Sequence, residues 1–414
     1  MLKYIGRIYC FAPIAQWIEH LPSKQGITVR FCMGVNSFKT VNMSLRELNH
    51  KRILWTRKQK TLLAKFLFDK KNNNHFSPSQ IKTIKKILFL RHDNKFGDMI
   101  VSTVFYKNLK NLLPNAEIHV VSGPSTKVII ENNKNISAVY PYKTGWLNAL
   151  KLGQKLRKQN FDLVIDIDRV LTAQTVLLLR LISARFVFGF NRDGYGLYNI
   201  KRQYNFGQEH ISNVYKKIVD ELKLAPKDYN FDAAYSLFIP KEITKLTEKL
   251  LKILAKDGFE NNKPLVIFNP FAASKHRSLS DGQAKEIAQN LPDYNFLIIG
   301  PENKLKNFLP AGKPKNLFIV PPKFAKQGGI NLSLALLKMA NFLITPDTYI
   351  VHAAVAFNKP QICIYRGVDQ ENIRLWGPNS DKAIILEAKA DNKDIPAETI
   401  IENFKKLVDK NVKP

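Results

Sequence analysis

The chain has 414 residues, 45% of them apolar, which is enough for two domains of ordinary size with real cores. Its formal net charge is +30, and the first ninety residues hold about half of it, with 17 Lys plus Arg against 3 Asp plus Glu. Unless it only reflects an AT-rich genome, whose proteins are often rich in Lys and Asn, such a charge implies an anionic partner: nucleic acid, an anionic membrane surface or a phosphorylated substrate. Three scattered cysteines argue against a disulfide framework and for a reducing cytosol, and no apolar run approaches the roughly 20 residues that span a bilayer.

Residues 1–42 show no clean period. The segment IAQWIEHLPSKQGITVRF resembles a translated transfer-RNA gene, which points to a start nearer Met33 or Met43 and to an extension that is disordered or untranslated. Residues 43–80 form a basic helical lead and a linker. Over Ser44 to Lys71 the residues Leu54, Trp55, Leu62, Leu63, Phe66 and Leu67 recur on one side among Arg52, Arg57, Lys58, Lys60 and Lys65. Such a helix either lies on anionic lipid or packs its stripe on the protein.

From Ile84 strands and helices alternate, with strands near 87–90, 117–121, 137–140, 163–167 and 186–188. After an aperiodic loop, 191–208, and two helices, the alternation restarts, with strands near 265–268, 296–299, 317–320, 342–345 and 361–365 and a closing helix at 398–408. Alternation of this kind implies parallel sheets covered by helices. It divides the chain into two doubly wound Rossmann-like domains, 81–255 and 256–414, facing across a cleft.

Three strand-to-helix turns carry the candidate chemistry. Arg91 to Thr103 (RHDNKFGDMIVST) places Asp98 at the start of a helix, where it is either a general base for a hydroxyl or a helix cap; Asp93 competes for the role. Asn269 to Leu279 (NPFAASKHRSL) offers small residues, Ala272, Ala273 and Ser274, beside Lys275, a point charge suited to phosphate. Phe342 to Tyr365 places Asp347 and Thr348 as N-cap types and His352 one turn in; they face a ligand, or form a cap and a core histidine. A helix start at a strand's carboxyl end suits an anion, here a phosphate-bearing donor. Asp166 and Asp168 read as strand-end polar residues. No His/Cys/Asp/Glu cluster has metal-ligand spacing, and no G-x-G-x-x-G follows a strand, which weighs against an oxidoreductase.

These three stretches, in this order, resemble the ADP-heptose:lipopolysaccharide heptosyltransferase family, glycosyltransferase family 9. The resemblance runs from about Lys86 to Pro378. It implies a GT-B fold and inverting transfer of heptose from ADP-heptose to the lipopolysaccharide or lipooligosaccharide inner core, with no metal or other cofactor. By position, Asp98 would be the base and Lys275 would neutralise the leaving diphosphate. Ala273, Ser274, Asp347 and Thr348 would cradle the phosphates, His352 would support that loop or the sugar, and Glu302 would meet the adenosine ribose. Arg91, Arg185, Arg192, Lys201 and Arg202 are candidates to meet the anionic acceptor at the cytoplasmic face of the inner membrane. Tyr349 departs from the small residue the family usually carries after Asp-Thr.

Two other classes compete. A GT-B transferase for another nucleotide sugar or acceptor would share this build. A nucleic-acid-binding protein or membrane-surface scaffold would use the charge and leave the cleft idle. The chain shows no basic stretch interleaved with aromatics and no nucleic-acid-binding motif, so no specific nucleic acid partner is expected.

Overall fold

The computed structural model describes residues 26–34, 37–308 and 312–411. Residues 1–25, 35 and 36 of the expected extension lie outside this range; its remainder enters an antiparallel hairpin, β1 (Gly26–Gly34) and β2 (Ser37–Ser44). The basic lead is one helix, α1 (Leu45–Phe68).

The first lobe follows as β3 (Lys86–Arg91), α2 (Phe96–Leu112), β4 (Glu117–Ser122), α3 (Lys127–Ile130), β5 (Ala138–Pro141), α4 (Trp146–Arg157), β6 (Leu163–Asp166), α5 (Ala173–Ile182), β7 (Phe186–Phe190), β8 (Ile200–Arg202) and α6 (Asn213–Glu221). α7 (Lys241–Lys256) then leads to β9 (Leu265–Phe268), α8 (Asp281–Asn290), β10 (Asn295–Ile298), α9 (Glu302–Leu305), β11 (Leu317–Ile319) and α10 (Pro322–Met339). β12 (Phe342–Pro346), α11 (Tyr349–Ala356), β13 (Gln361–Arg366), α12 (Gln370–Trp376), β14 (Ala383–Ala388) and α13 (Ala397–Asn411) complete the second lobe.

Both sheets are parallel throughout and share one topology, β5-β4-β3-β6-β7-β8 and β11-β10-β9-β12-β13-β14. That is the 3-2-1-4-5-6 order of a doubly wound fold, which reverses direction between its first and fourth strands and opens a crevice at their carboxyl ends. The central strands are continuous apolar runs because helices cover both faces: Leu163–Asp166, Leu265–Phe268 and Phe342–Pro346 are buried at every position. Five strands per sheet follow the sequence reading. The sixth in each, β8 and β14, was not expected: β8 has three residues, and β14 alternates between half-buried and exposed positions at an edge.

The lobes meet at the carboxyl ends of their sheets. α2, which follows β3, packs on α11, which follows β12. The Phe96 and Tyr349 rings lie 5.7 Å apart across this seam. Gly97 permits the approach: a Cβ there would stand 2.9 Å from His352 Cδ2, too close for a side chain. The amide N–H of Ile211 donates to Leu375 O (3.0 Å), and His210 Nε2 is paired with Gly377 O (3.1 Å), which adds a second tie. α7, which the division at 255/256 assigns to the first domain, packs instead on α10 of the second lobe.

Candidate active site

The crevice of the first lobe lies at the ends of β3 and β6. Arg91 closes β3 and is buried, and its Nη2 donates to Asp98 Oδ1. Asp98 sits in the first turn of α2 but makes no capping bond; its carboxylate goes to the guanidinium. The helix-cap alternative is therefore not what the structure shows. Burial raises the proton affinity of Asp98 above the ordinary carboxylate range; Arg91 opposes this and Asp93 adds to it. A carboxylate kept more basic than usual, yet oriented by a fixed cation, has the properties of a general base.

Beside this pair, Asp166 is fully buried and accepts from Arg192 Nε (3.2 Å), Arg192 Nη2 (3.1 Å) and Tyr198 OH (2.5 Å). Asp168 is pushed up to about 6 by burial and by Asp166, and its Oδ2 stands 3.4 Å from His92 Nδ1. The His92 ring stacks on Tyr142 at 5.4 Å. Among the described residues, Arg91 Nε, His92 Nδ1, Asp93 Oδ1, Ser122 Oγ and Tyr142 OH are buried without a hydrogen-bond partner, all where β3, β4 and β5 end. Such groups cost free energy unless a polar ligand or ordered water meets them. Next to them, Arg169, Asn191, Tyr204 and Phe206 line an open groove of about 640 Å³ at the ends of β6, β7 and β8.

The crevice of the second lobe lies at the ends of β9 and β12. Asn269 Nδ2 donates to Thr345 Oγ1 (3.0 Å) and Thr348 Oγ1 (3.2 Å), tying the two strand ends together. Thr348 occupies the N-cap position of α11 but makes no capping bond, because its hydroxyl is turned to Asn269. No side chain of the expected cap therefore occupies the first-turn amides, which is what an anion needs. Asp347 accepts from Arg277 Nη1 (2.7 Å) and Asn372 Nδ2 (2.8 Å). The preceding loop is held by Ser278 Oγ, which accepts from Ala272 N (3.1 Å) and donates to Ser274 O (3.1 Å). Ala273 and Lys275 are exposed at its tip. Lys304 Nζ donates to Ala272 O (2.6 Å), adding a third cation to this edge after Arg277 and Lys275.

Of the residues expected from sequence, Asp98, Ala273, Ser274, Lys275, Asp347 and Thr348 all stand at these facing strand ends. Glu302 begins α9 after β10 and pairs with Lys306 Nζ at 2.9 Å. His352 is buried in the seam and does not lie on the phosphate turn; burial, with help from His210, holds it down at about 3, so it is neutral. The acceptor candidates divide. Arg91 orients Asp98. Arg192 is consumed by Asp166. Arg185 lies at the amino end of β7, away from the cleft, and its guanidinium rests on Phe186 (4.8 Å) near Thr83. Arg202 Nε pairs with Glu221 at 2.8 Å, and Lys201 is half-buried on the edge strand. The reasoning from sequence missed Arg277, Asn269 and Asn372, which brace the Asp347–Thr348 turn, and His92 and Tyr142. The sequence gives only a weak signal for Arg277, its place two residues after Lys275.

Among the described residues no cluster of three or more His, Cys, Asp or Glu could hold a metal ion, and no helix is long and apolar enough to cross a membrane.

Residues 149–404 match the model of glycosyltransferase family 9 (heptosyltransferase), more than half of the chain. The putative lipopolysaccharide heptosyltransferase 4 of Escherichia coli K12 is 27% identical over 384 residues, which cover 88% of this chain and 98% of that protein. Among solved structures, the glycosyl transferase family 9 protein of Veillonella parvula superposes with a TM-score of 0.67 at 18% identity, covering 79% of this chain and 98% of that one. The E. coli ADP-heptose lipopolysaccharide heptosyltransferase II superposes with a TM-score of 0.62 at 18% identity, covering 79% and 100%. These likenesses agree with the GT-B arrangement of two facing Rossmann-like lobes.

Proposed function

The chain belongs to glycosyltransferase family 9 (heptosyltransferase), and from that premise we propose that it moves heptose from ADP-heptose to a hydroxyl of the lipopolysaccharide inner core, with inversion at the anomeric carbon. One observation supports this above the others: the two crevices face each other, one bearing the Asp98 carboxylate and the other open helix amides with cations.

In this reading Asp98 takes the proton of the acceptor hydroxyl as its oxygen attacks the anomeric carbon. The bond from that carbon to the diphosphate breaks on the opposite face, and its electron pair leaves on a phosphate oxygen. Lys275, the α11 amides and the Arg277–Asp347 brace stabilise the developing charge. A single displacement inverts the anomeric centre. Ala273 and Ser274 let the loop backbone approach the phosphates, and Glu302 stands on the side where the adenosine ribose would lie. No metal is needed for the charge balance, because the cations are side chains.

On the other side, the buried polar atoms of His92, Asp93, Ser122 and Tyr142, with the groove at the ends of β6, β7 and β8, form the seat for the acceptor sugar. Tyr349 does not obstruct the donor, since its ring packs on Phe96 in the seam. A lipid-linked acceptor would place the enzyme at the cytoplasmic face of the inner membrane.

Product analysis tests the proposal. Purified protein is offered ADP-heptose, UDP-sugars and GDP-sugars with truncated lipopolysaccharide acceptors. Heptose added from ADP-heptose, with the anomer inverted, is the expected result. Transfer only from another nucleotide sugar would overturn the donor, and a retained anomer would overturn the mechanism.

A further inference from the structure

The helical layer outside the first lobe carries a surface that the cleft does not use. α1 and α4 both pack on α5. α1 does so through Thr61 and Ala64, which are buried. Part of its apolar stripe is left in water: Leu63, Phe66 and Leu67 face solvent, Phe66 at 85% exposure. At the start of α4, Trp146 and Leu147 are exposed too, Leu147 at 73%. The Phe68 and Trp146 rings, 6.5 Å apart, join the end of α1 to the start of α4.

The charge around this patch is predominantly basic. The α1 sequence holds seven Lys or Arg and one Glu; the α4 sequence holds three basic residues and no acidic one. Lys58, Lys60 and Lys151 are exposed beside the apolar side chains. Large apolar side chains left in water beside a basic fringe are an unfavourable surface for a free protein and a favourable one for an anionic bilayer. The apolar groups enter the acyl boundary and the ammonium and guanidinium groups meet lipid phosphates.

We propose that this face of α1 and α4 docks the protein on a membrane rich in anionic phospholipid. A second copy of the chain is the poorer occupant, because such a contact would bring two strongly basic faces together. The location also fits. α4 starts just after β5, at the carboxyl edge of the first sheet, and Tyr142 in that connection stacks on His92 of the acceptor side. Docking there holds the acceptor side of the cleft close to the lipid surface. This last point rests on the proposed lipid-linked acceptor; the docking itself does not.

The test uses full-length protein and vesicles, with no donor or acceptor present. Co-sedimentation with phosphatidylethanolamine–phosphatidylglycerol vesicles is compared with phosphatidylcholine vesicles, and solution mass is measured by light scattering. The wild type is expected to partition to the anionic vesicles at least about tenfold better than to the neutral ones. Phe66→Asp and Leu147→Asp are expected to lose at least about tenfold in partitioning, as is the double variant Lys58→Glu/Lys60→Glu. All should keep wild-type circular dichroism and turnover on a soluble truncated acceptor. Absence of vesicle binding, or binding unaffected by these substitutions, overturns the proposal. So does a dimer in solution that Phe66→Asp dissociates. A protein that docks but shows no heptose transfer on the soluble acceptor would sink the transferase reading alone.

Discussion

Gly97 and His352 touch across the seam between the two lobes, with only a hydrogen on the glycine to admit the imidazole edge. Asp98 follows one of them and Asp347 precedes the other by five positions. That contact lies between the carboxylate of the first lobe and the Asp347–Thr348 turn of the second. Gly97→Ala is expected to push the lobes apart. A steric clash of this kind costs about 1–3 kcal/mol, and misplacing reacting groups by an ångström costs about 10²-fold in rate. Parallel measurement of kcat and of thermal stability checks this; unchanged kcat would mean that the seam does not gauge the site.

Arg192 is expected to matter for folding and not for acceptor binding. Removing it leaves the Asp166 carboxylate buried with only Tyr198 and a backbone amide for partners. Breaking a buried pair of this kind costs about 3–5 kcal/mol. Chemical denaturation of Arg192→Ala should show that loss, with little change in acceptor KM for whatever protein remains folded.

Arg277→Ala is expected to loosen the Asp347 corner and to weaken ADP binding about tenfold, on the scale of one charge-assisted hydrogen bond. Lys275→Ala should weaken donor binding and turnover together, since that ammonium is exposed and available to the leaving group. Calorimetric titration with ADP separates the two from Asp98 variants, which should bind ADP normally.

His352 gives the acid limb of stability a defined sign. Its folded pKa is held down at about 3, below the unfolded value of about 6.5. As pH falls below that unfolded value, the unfolded chain takes up a proton that the native imidazole refuses, so stability is lost on acidification. Between pH 7 and 5 the wild type should lose about 1–2 kcal/mol more than His352→Gln, since the slope approaches about 1.4 kcal/mol per pH unit. Urea midpoints at the two pH values measure the difference; equal losses would mean that the buried imidazole is not what titrates.

The inner strands of both sheets were legible because parallel strands covered on two faces read as unbroken apolar runs. Their edges were not: Ile200–Arg202 is too short and too basic to show a pattern, and Ala383–Ala388 is half exposed. Asp98 and Asp347 could be found because each follows a strand end at a turn. Their partners could not, since Arg91, Arg277 and Asn372 reach them through contacts that only the folded chain defines. Arg185 and Arg192 illustrate the limit. They flank one strand of five residues, look equivalent in sequence, and lie at its amino and carboxyl ends, one resting on Phe186 and the other buried on Asp166. The stripe on α1 was legible as amphipathic, but only the packing of Thr61 and Ala64 shows that Leu63, Phe66 and Leu67 are left outside.

The central claim is that Asp98 takes the acceptor proton while the opposite lobe holds the donor. Turnover and ADP affinity of Asp98→Asn, measured on the same preparation, test it most directly. Loss of general-base catalysis should lower kcat by about 10²–10⁴-fold, with ADP affinity and fold unchanged. Near-normal turnover in that variant would contradict the assignment.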